Sequence, residues 1–287
     1  MNLHGGILSL ASLLCLSTAF AATMAEPAQT IEYSRPAGVP LYMDVSIPNG
    51  AGPFPAAIIV HGGGWVRGDR QVDVAPLFEP LEHADIAWFS IDYRLLRNLM
   101  DLAAPLDDVQ NAVRFVKEHA SQYRIDPQRI ALIGESAGGQ LAAMAALNPR
   151  PDGEVRGVVA FYAPTDLVDL AKDSSLIPQE LRDSLRDSLH GSPFEALLMG
   201  GLRQLSPIAN VSPGAPPFLL VHGTKDTLVP FAQSEAMCGQ LKASGSACQL
   251  YPIEGGGHGM RWWESSHPDE ARQYKTEMVR WLRHDLN

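Results

Sequence analysis

The run Ile130-Ala131-Leu132-Ile133-Gly134-Glu135-Ser136-Ala137-Gly138-Gly139-Gln140-Leu141 decides how the rest of the chain is read. Its first four residues are a continuous apolar stretch, as in a strand buried on both faces. Residues 137–147 are rich in alanine and have helical spacing. Between strand and helix stands G-x-S-x-G, in the strand–turn–helix setting the motif needs to present its serine as a nucleophile. A turn this tight presses its neighbours against adjacent backbone, where a Cβ would clash, which accounts for the glycines. The helix N-terminus adds a positive dipole end beneath a developing oxyanion. The plain alternative, a glycine-rich turn with an exposed serine, does not explain the flanking strand and helix.

Outward from this point the chain alternates short apolar runs with helical patterns, the signature of an α/β fold around a mostly parallel sheet. Buried strands are predicted at 56–60, 86–91, 130–133, 158–162 and 218–221, a last strand at 249–253, and an edge strand at 41–47, where Leu41, Met43, Val45 and Ile47 share one face. Helices are predicted at 106–119, 137–147, 231–243 and 268–286. The stretch from Ala163 to Pro217 has no buried strand and only mild helical character at 178–189 and 194–205. A long insertion at the loop end of such a sheet reads as a small helical cap, placed at about 164–212.

Three further segments follow predicted strands, so their loops share one sheet edge with Ser136. His61-Gly62-Gly63-Gly64-Trp65 follows the strand 56–60. Bare backbone N–H groups can surround a carbonyl oxygen only where no side chain intrudes, so Gly63 and Gly64, with Ala137, are assigned as oxyanion donors. His61 precedes the glycines and reads as structural. His222-Gly223-Thr224-Lys225-Asp226 and Gly255-Gly256-Gly257-His258-Gly259 follow the last two strands, completing the order serine, acid, histidine. His258 is then the base that takes the Ser136 proton, and Asp226 the acid that orients it. Asp166 is a rival for the acid. Trp65, Glu135 and Trp262 are assigned to the substrate pocket, although Glu135 also reads as a brace for the turn. Asp92-Tyr93-Arg94 reads as an ion pair at a strand end rather than as catalysis. None of the nine histidines has metal-ligand spacing, and no metal or cofactor is expected.

Taken together, His61-Gly62-Gly63-Gly64-Trp65, Asp92-Tyr93-Arg94-Leu95, Gly134-Glu135-Ser136-Ala137-Gly138-Gly139, Asp226 and Gly257-His258-Gly259 resemble the HGGG-type esterase/lipase branch of the α/β-hydrolases. The Trp after the glycines and the entry Val39-Pro40-Leu41-Tyr42-Met43-Asp44-Val45 are most similar to the feruloyl/acetyl-xylan-esterase-like (BD-FAE-like) group. The resemblance runs from about Ile31 to the C-terminus and departs at 168–206, the cap. It implies an α/β-hydrolase fold and a serine carboxylesterase acting on short-chain acyl or aromatic-acid esters, which could be carbohydrate-linked.

Composition agrees with one globular catalytic domain over 26–287: 46% hydrophobic and 19% charged residues in a chain of 287. A net charge of -10 argues against nucleic acid or an anionic membrane as partner, since both need a positive footprint. Residues 1–21 read as a signal peptide cleaved near Ala19-Phe20-Ala21, so an exported protein is expected, although no Lys or Arg precedes the apolar run. Cys15 lacks the small preceding residue of a lipid anchor. Export would leave Cys238 and Cys248 as either a disulfide or two buried thiols. Two other functions compete with ester hydrolysis. One is amide hydrolysis of the arylformamidase kind, suggested by the His-Gly-Gly-x-Trp loop. The other is a non-catalytic binding module on the same fold, against which the complete triad argues. Acyl length and oligomeric state stay open at this level.

Overall fold

The computed structural model describes residues 29–96, 103–173 and 193–286. The expected leader and the weak helical pattern at 178–189 lie outside these residues. One eight-stranded sheet organises the molecule: β1 (Gln29–Ser34), β2 (Leu41–Ser46), β3 (Phe54–Val60), β4 (Ala87–Ile91), β5 (Ile125–Glu135), β6 (Gly157–Phe161), β7 (Phe218–Gly223) and β8 (Cys248–Ile253), in the order β1-β2-β4-β3-β5-β6-β7-β8. β2 runs antiparallel to both neighbours, and β4, β3 and β5 to β8 are all parallel.

The alternation of side chains along each strand splits the core in two. Ala56, Ile58 and Val60 of β3 face one layer, with Val109 and Val113 of α2 (Ala103–Glu118), Leu141 of α3 (Ala137–Leu147) and, beyond the last strands, Met237. Ala57 and Ile59 face the other layer, with Leu81 of α1 (Phe78–Glu82) and the C-terminal helix residues Met278 and Leu282. Continuous apolar strands are the sequence expression of this two-sided burial.

Two expectations need correction. β2 is not the edge strand; β1 covers it, pairing Gln29 with Val45 and Ile31 with Met43. β1 carries only Ile31 and Tyr33 as apolar side chains, too few to register as a strand. On the opposite face of β2, Tyr42 is exposed but Asp44 and Ser46 are buried, Asp44 being taken up by Thr30, Arg70 and Gln71. Asp92 and Arg94 do not pair with each other. Asp92 accepts from Arg70 at 2.8 Å, and Arg94 forks onto the buried carboxylate of Asp108 with two bonds of 2.8 Å, fastening the end of β4 to α2.

Two helices from the expected cap region are described, α4 (Leu167–Asp173) and α5 (Pro193–Gln204). Later come α6 (Ala232–Ala243), α7 (Met260–Ser266) and α8 (Pro268–Asp285). Cys238 of α6 and Cys248 of β8 form a disulfide with Cα atoms 5.5 Å apart. Closing a short loop of this kind constrains the unfolded chain by roughly 2–3 kcal/mol. Cys238→Ser with Cys248→Ser should therefore lower Tm by several degrees while preserving activity at low temperature. An unchanged Tm under non-reducing conditions would show that the bridge contributes nothing to stability.

Candidate active site

The parallel register carries the ends of the central strands to one edge. Val60 pairs with Gly134, Glu135 with Phe161, and Gly223 with Ile253, so the loops that follow emerge side by side. Ser136 occupies the single residue between β5 and α3. Its backbone is at φ 51° and ψ −121°, a conformation that costs a non-glycine residue on the order of 1–3 kcal/mol. The turn is held from both sides: Ser136 N–H donates to Phe161 O at 2.9 Å, and Ser136 O accepts from Gln140 N–H at 3.1 Å. Gly138 is required because a Cβ there would overlap the carbonyl oxygens of Val60 and His61.

Three residues far apart in sequence meet at this turn. His258 Nε2 lies 2.9 Å from Ser136 Oγ, and His258 Nδ1 lies 2.7 Å from Asp226 Oδ2. The Asp226 side chain is fully buried, whereas that of His258 keeps 17% exposure. Asp226 Oδ1 accepts from Leu228 N–H at 2.8 Å and Val229 N–H at 2.9 Å, while Oδ2 faces His258 Nδ1 and lies 3.4 Å from His222 Nε2. Burial opposes ionisation of Asp226, but hydrogen bonding by His222, His258 and Val229 N–H overcomes it and holds the carboxyl well below the usual carboxylate range. With the carboxylate on Nδ1, that nitrogen carries the proton and Nε2 is free to accept one. Asp166, the rival acid, instead accepts the N–H groups of Val168 and Asp169 at the start of α4.

The glycine loop after β3 is braced from behind. Gly62 N–H donates to Glu135 Oε1 at 2.5 Å, which leaves Gly63 and Gly64 as the next N–H groups along the loop. Gly63 has φ 103°, and a Cβ on it would overlap Arg67 O, so the loop can take this path only with glycine there. Among the described residues no protein acceptor is bonded to the N–H of Gly63, Gly64 or Ala137. His61 is buried, stacks on Tyr93 with ring centroids 4.4 Å apart, and is remote in role from the Ser136 proton: its Nδ1 lies 2.8 Å from Gly62 O.

Glu135 is only 8% exposed, and its carboxylate lies against the Gly62 N–H of the glycine loop, in keeping with the bracing role also read for it from the sequence. Along a strand successive side chains point to opposite faces, and the reversal at Ser136 turns its neighbour inward. Burial pushes the Glu135 carboxyl up, while the Gly62 N–H and the Tyr162 hydroxyl pull the other way. The Tyr162 hydroxyl also accepts Met260 N–H at 2.9 Å, and the Tyr162 ring meets His258 edge-on at 4.6 Å. Glu135 and Tyr162 therefore link the glycine loop to the histidine loop. Sequence reasoning missed Tyr162; its signal was a hydroxyl-bearing residue directly after an otherwise wholly apolar buried strand. Of the pocket tryptophans, Trp262 is 43% exposed and packs on His267 beside the histidine loop. Trp65 is half-buried directly after the glycines, whereas Trp263 is fully buried with its indole N–H on Gly257 O at 2.8 Å.

The family model BD-FAE matches residues 43–241, well over half of the chain. The chain belongs to the BD-FAE family. It is similar to the probable carboxylic ester hydrolase LipM of Mycobacterium tuberculosis, 33% identical over 204 residues, which cover 67% of this chain and 46% of that protein. The chain thus spans about half the length of the curated relatives it matches. Among solved structures it is similar to the thermophilic esterase Est2 of the planctomycete Thermogutta terrifontis. The native form superposes with a TM-score of 0.69 at 27% identity, covering 88% of this chain and 90% of that one. The butyrate-bound form gives a TM-score of 0.68 at 25% identity, covering 88% and 94%. The sheet order and these neighbours make the fold that of an α/β-hydrolase.

Proposed function

We propose that this protein is a serine carboxylic ester hydrolase that works through an acyl-enzyme. The observation that carries the reading is the continuous line Asp226 Oδ2, His258 Nδ1, His258 Nε2, Ser136 Oγ, with separations of 2.7 and 2.9 Å, beside a glycine loop with N–H groups to spare. Ser136 Oγ adds to the ester carbonyl as its proton passes to His258 Nε2. The oxyanion is received by the N–H groups of Gly63, Gly64 and Ala137 at the start of α3. Collapse breaks the bond to the leaving alkoxide, which takes the proton back from His258, and a water activated by the same nitrogen then releases the acid. Glu135 and Tyr162 hold the two loops in register while charge develops.

The substrate class is an ester of a short acyl chain or compact aromatic acid, which could be carbohydrate-linked, with Trp65 and Trp262 flanking the reacting centre. The likeness to LipM, named a probable carboxylic ester hydrolase, and to the esterase Est2 in its butyrate-bound form supports this choice. The Cys238–Cys248 bond supports work in an oxidising compartment, in keeping with residues 1–21 as an export leader. Each methylene buried in a pocket of this kind adds about 0.8 kcal/mol until the pocket is full. Rates with nitrophenyl esters should therefore peak between acetate and butyrate, and a chelator should leave them unchanged. A peak at octanoate or longer, activation at an emulsion surface, or faster turnover of N-formyl anilides would reject the assignment.

A further inference from the structure

We infer that Gln140 is a positioning residue that ties the glycine loop to the cap, and that through it the cap sets which acyl chains the site accepts; this rests on the ester-hydrolase reading above. The eleven residues of α3, Ala-Gly-Gly-Gln-Leu-Ala-Ala-Met-Ala-Ala-Leu, are all buried, and Gln140 is the one polar side chain among them. A buried amide is costly unless both of its ends are bonded. Both are: Gln140 Oε1 accepts Trp65 Nε1–H at 3.0 Å, and Gln140 Nε2–H donates to Leu205 O at 2.7 Å. Leu205 is the residue just past α5, where helix carbonyls lack partners within the helix. The Gln140 backbone N–H meanwhile holds Ser136 O. One residue, a single helical turn beyond the nucleophile, thus touches the nucleophile turn, the glycine loop and the end of the cap helix.

Apolar packing runs alongside these bonds. Trp65, in the left-handed region at φ 64°, is partly buried against a small cluster of its own made by Leu167, Leu170 and Val229, which Leu202 and Leu205 also join. Leu167 and Leu170 belong to α4, and Val229 is the residue whose N–H bonds Asp226. Trp65 also packs against the core on the α2 and α3 side of the sheet, so it joins this small cluster to the main core. Nothing in the stability of the central fold requires a glutamine at this point, since an aliphatic side chain would suit so apolar a helix. What the amide adds is direction: it sets the indole plane at the mouth of the glycine loop and makes that plane follow α5.

The experiment compares Gln140→Leu, which loses both bonds, with Trp65→Phe, which keeps an aromatic ring but loses the indole donor, and with the double variant. Each is measured for kcat/KM on nitrophenyl acetate, butyrate, hexanoate and octanoate, for labelling rate by alkyl fluorophosphonates of matching length, and for Tm. The expected result is a change in the ranking of chain lengths by about fivefold in each single variant, carried mainly by KM. The double variant should be no further displaced than the singles, because both remove one shared bond. Retention of the wild-type ranking with all rates lowered by one common factor would mark Gln140 as merely structural and overturn the inference. Multiplicative effects in the double variant would overturn it too. If Gln140→Leu does not fold, Trp65→Phe alone decides by the same ranking. A wild-type chain that neither hydrolyses these esters nor labels would instead overturn the ester-hydrolase reading, and this inference with it.

Discussion

Ser136→Ala is expected to lower kcat by on the order of 10⁶ and to abolish covalent labelling by a fluorophosphonate. The size follows from the site acting as a unit. Without Oγ there is no acyl-enzyme, and His258 Nε2, 2.9 Å from the lost oxygen, has no proton to accept. What remains is the glycine loop and substrate binding, enough for a residual rate above that in water. The fold should be unaffected. The turn is held by backbone bonds, Ser136 N–H to Phe161 O and Gln140 N–H to Ser136 O, which alanine keeps, and a φ of 51° strains alanine no more than serine. Intact-mass spectrometry of the inhibited protein is the direct check. A single adduct on wild type and none on the variant, with Tm within a few degrees, is the expected pair of results. An adduct that persists on the variant would place the nucleophile elsewhere.

Asp226→Asn is expected to cost on the order of 10⁴ in kcat, the scale on which neutralising the third member of a Ser-His-Asp unit acts. The hydrogen bonds around Asp226 explain why so small a change should matter. Oδ1 accepts two backbone N–H groups, from Leu228 and Val229. An asparagine would keep its carbonyl oxygen there and turn its amide NH₂ toward His258 Nδ1. Nδ1 would then accept, Nε2 would carry the ring proton, and the Ser136 proton would have no destination. In the native protein Asp226, with its carboxyl held well below the usual range, stays ionised as pH falls. Protonation of Asp226 is therefore not expected to limit kcat/KM on the acid side. In the variant the plateau should drop at every pH at which the native enzyme is active. Kinetics of Asp226→Asn across pH, with fluorophosphonate stoichiometry as a control for folding, test both statements. A plateau within tenfold of wild type would mean that another group orients the histidine.

The buried strands and the four main helices were legible because burial on both faces writes an unbroken apolar run, and packing on one face writes a 3.6-residue repeat. β1 was not legible: at the sheet edge it buries only Tyr33 and half-buries Ile31, and its pairing comes from backbone bonds that carry no side-chain signature. The short α7, which begins two residues after His258, was hidden in the same way, since seven residues make less than two turns of periodicity. Asp92 and Arg94 are adjacent on paper, yet their partners, Arg70 and Asp108, are chosen by the packing of distant segments.

The sequence by itself determined the sheet's chemistry of place. G-x-S-x-G between strand and helix, glycines after one strand, an aspartate and a histidine after two later ones, all follow from local rules of turn and strand that need no knowledge of the whole. It also placed Cys238 and Cys248 close in sequence, but left open whether they bridge; their Cα separation of 5.5 Å is set by the packed chain. Only the tertiary structure decided which acid meets His258, because Asp166 and Asp226 both stand in loops and differ by where those loops fold. It alone turned Glu135 inward onto Gly62, and brought Gln140, Trp65 and Leu205 into one chain of hydrogen bonds. The physical reason is the same in each case. Backbone conformation is specified by neighbours in sequence, but the partner of a buried polar group is whatever the packed chain brings within 3 Å, and that depends on every element at once.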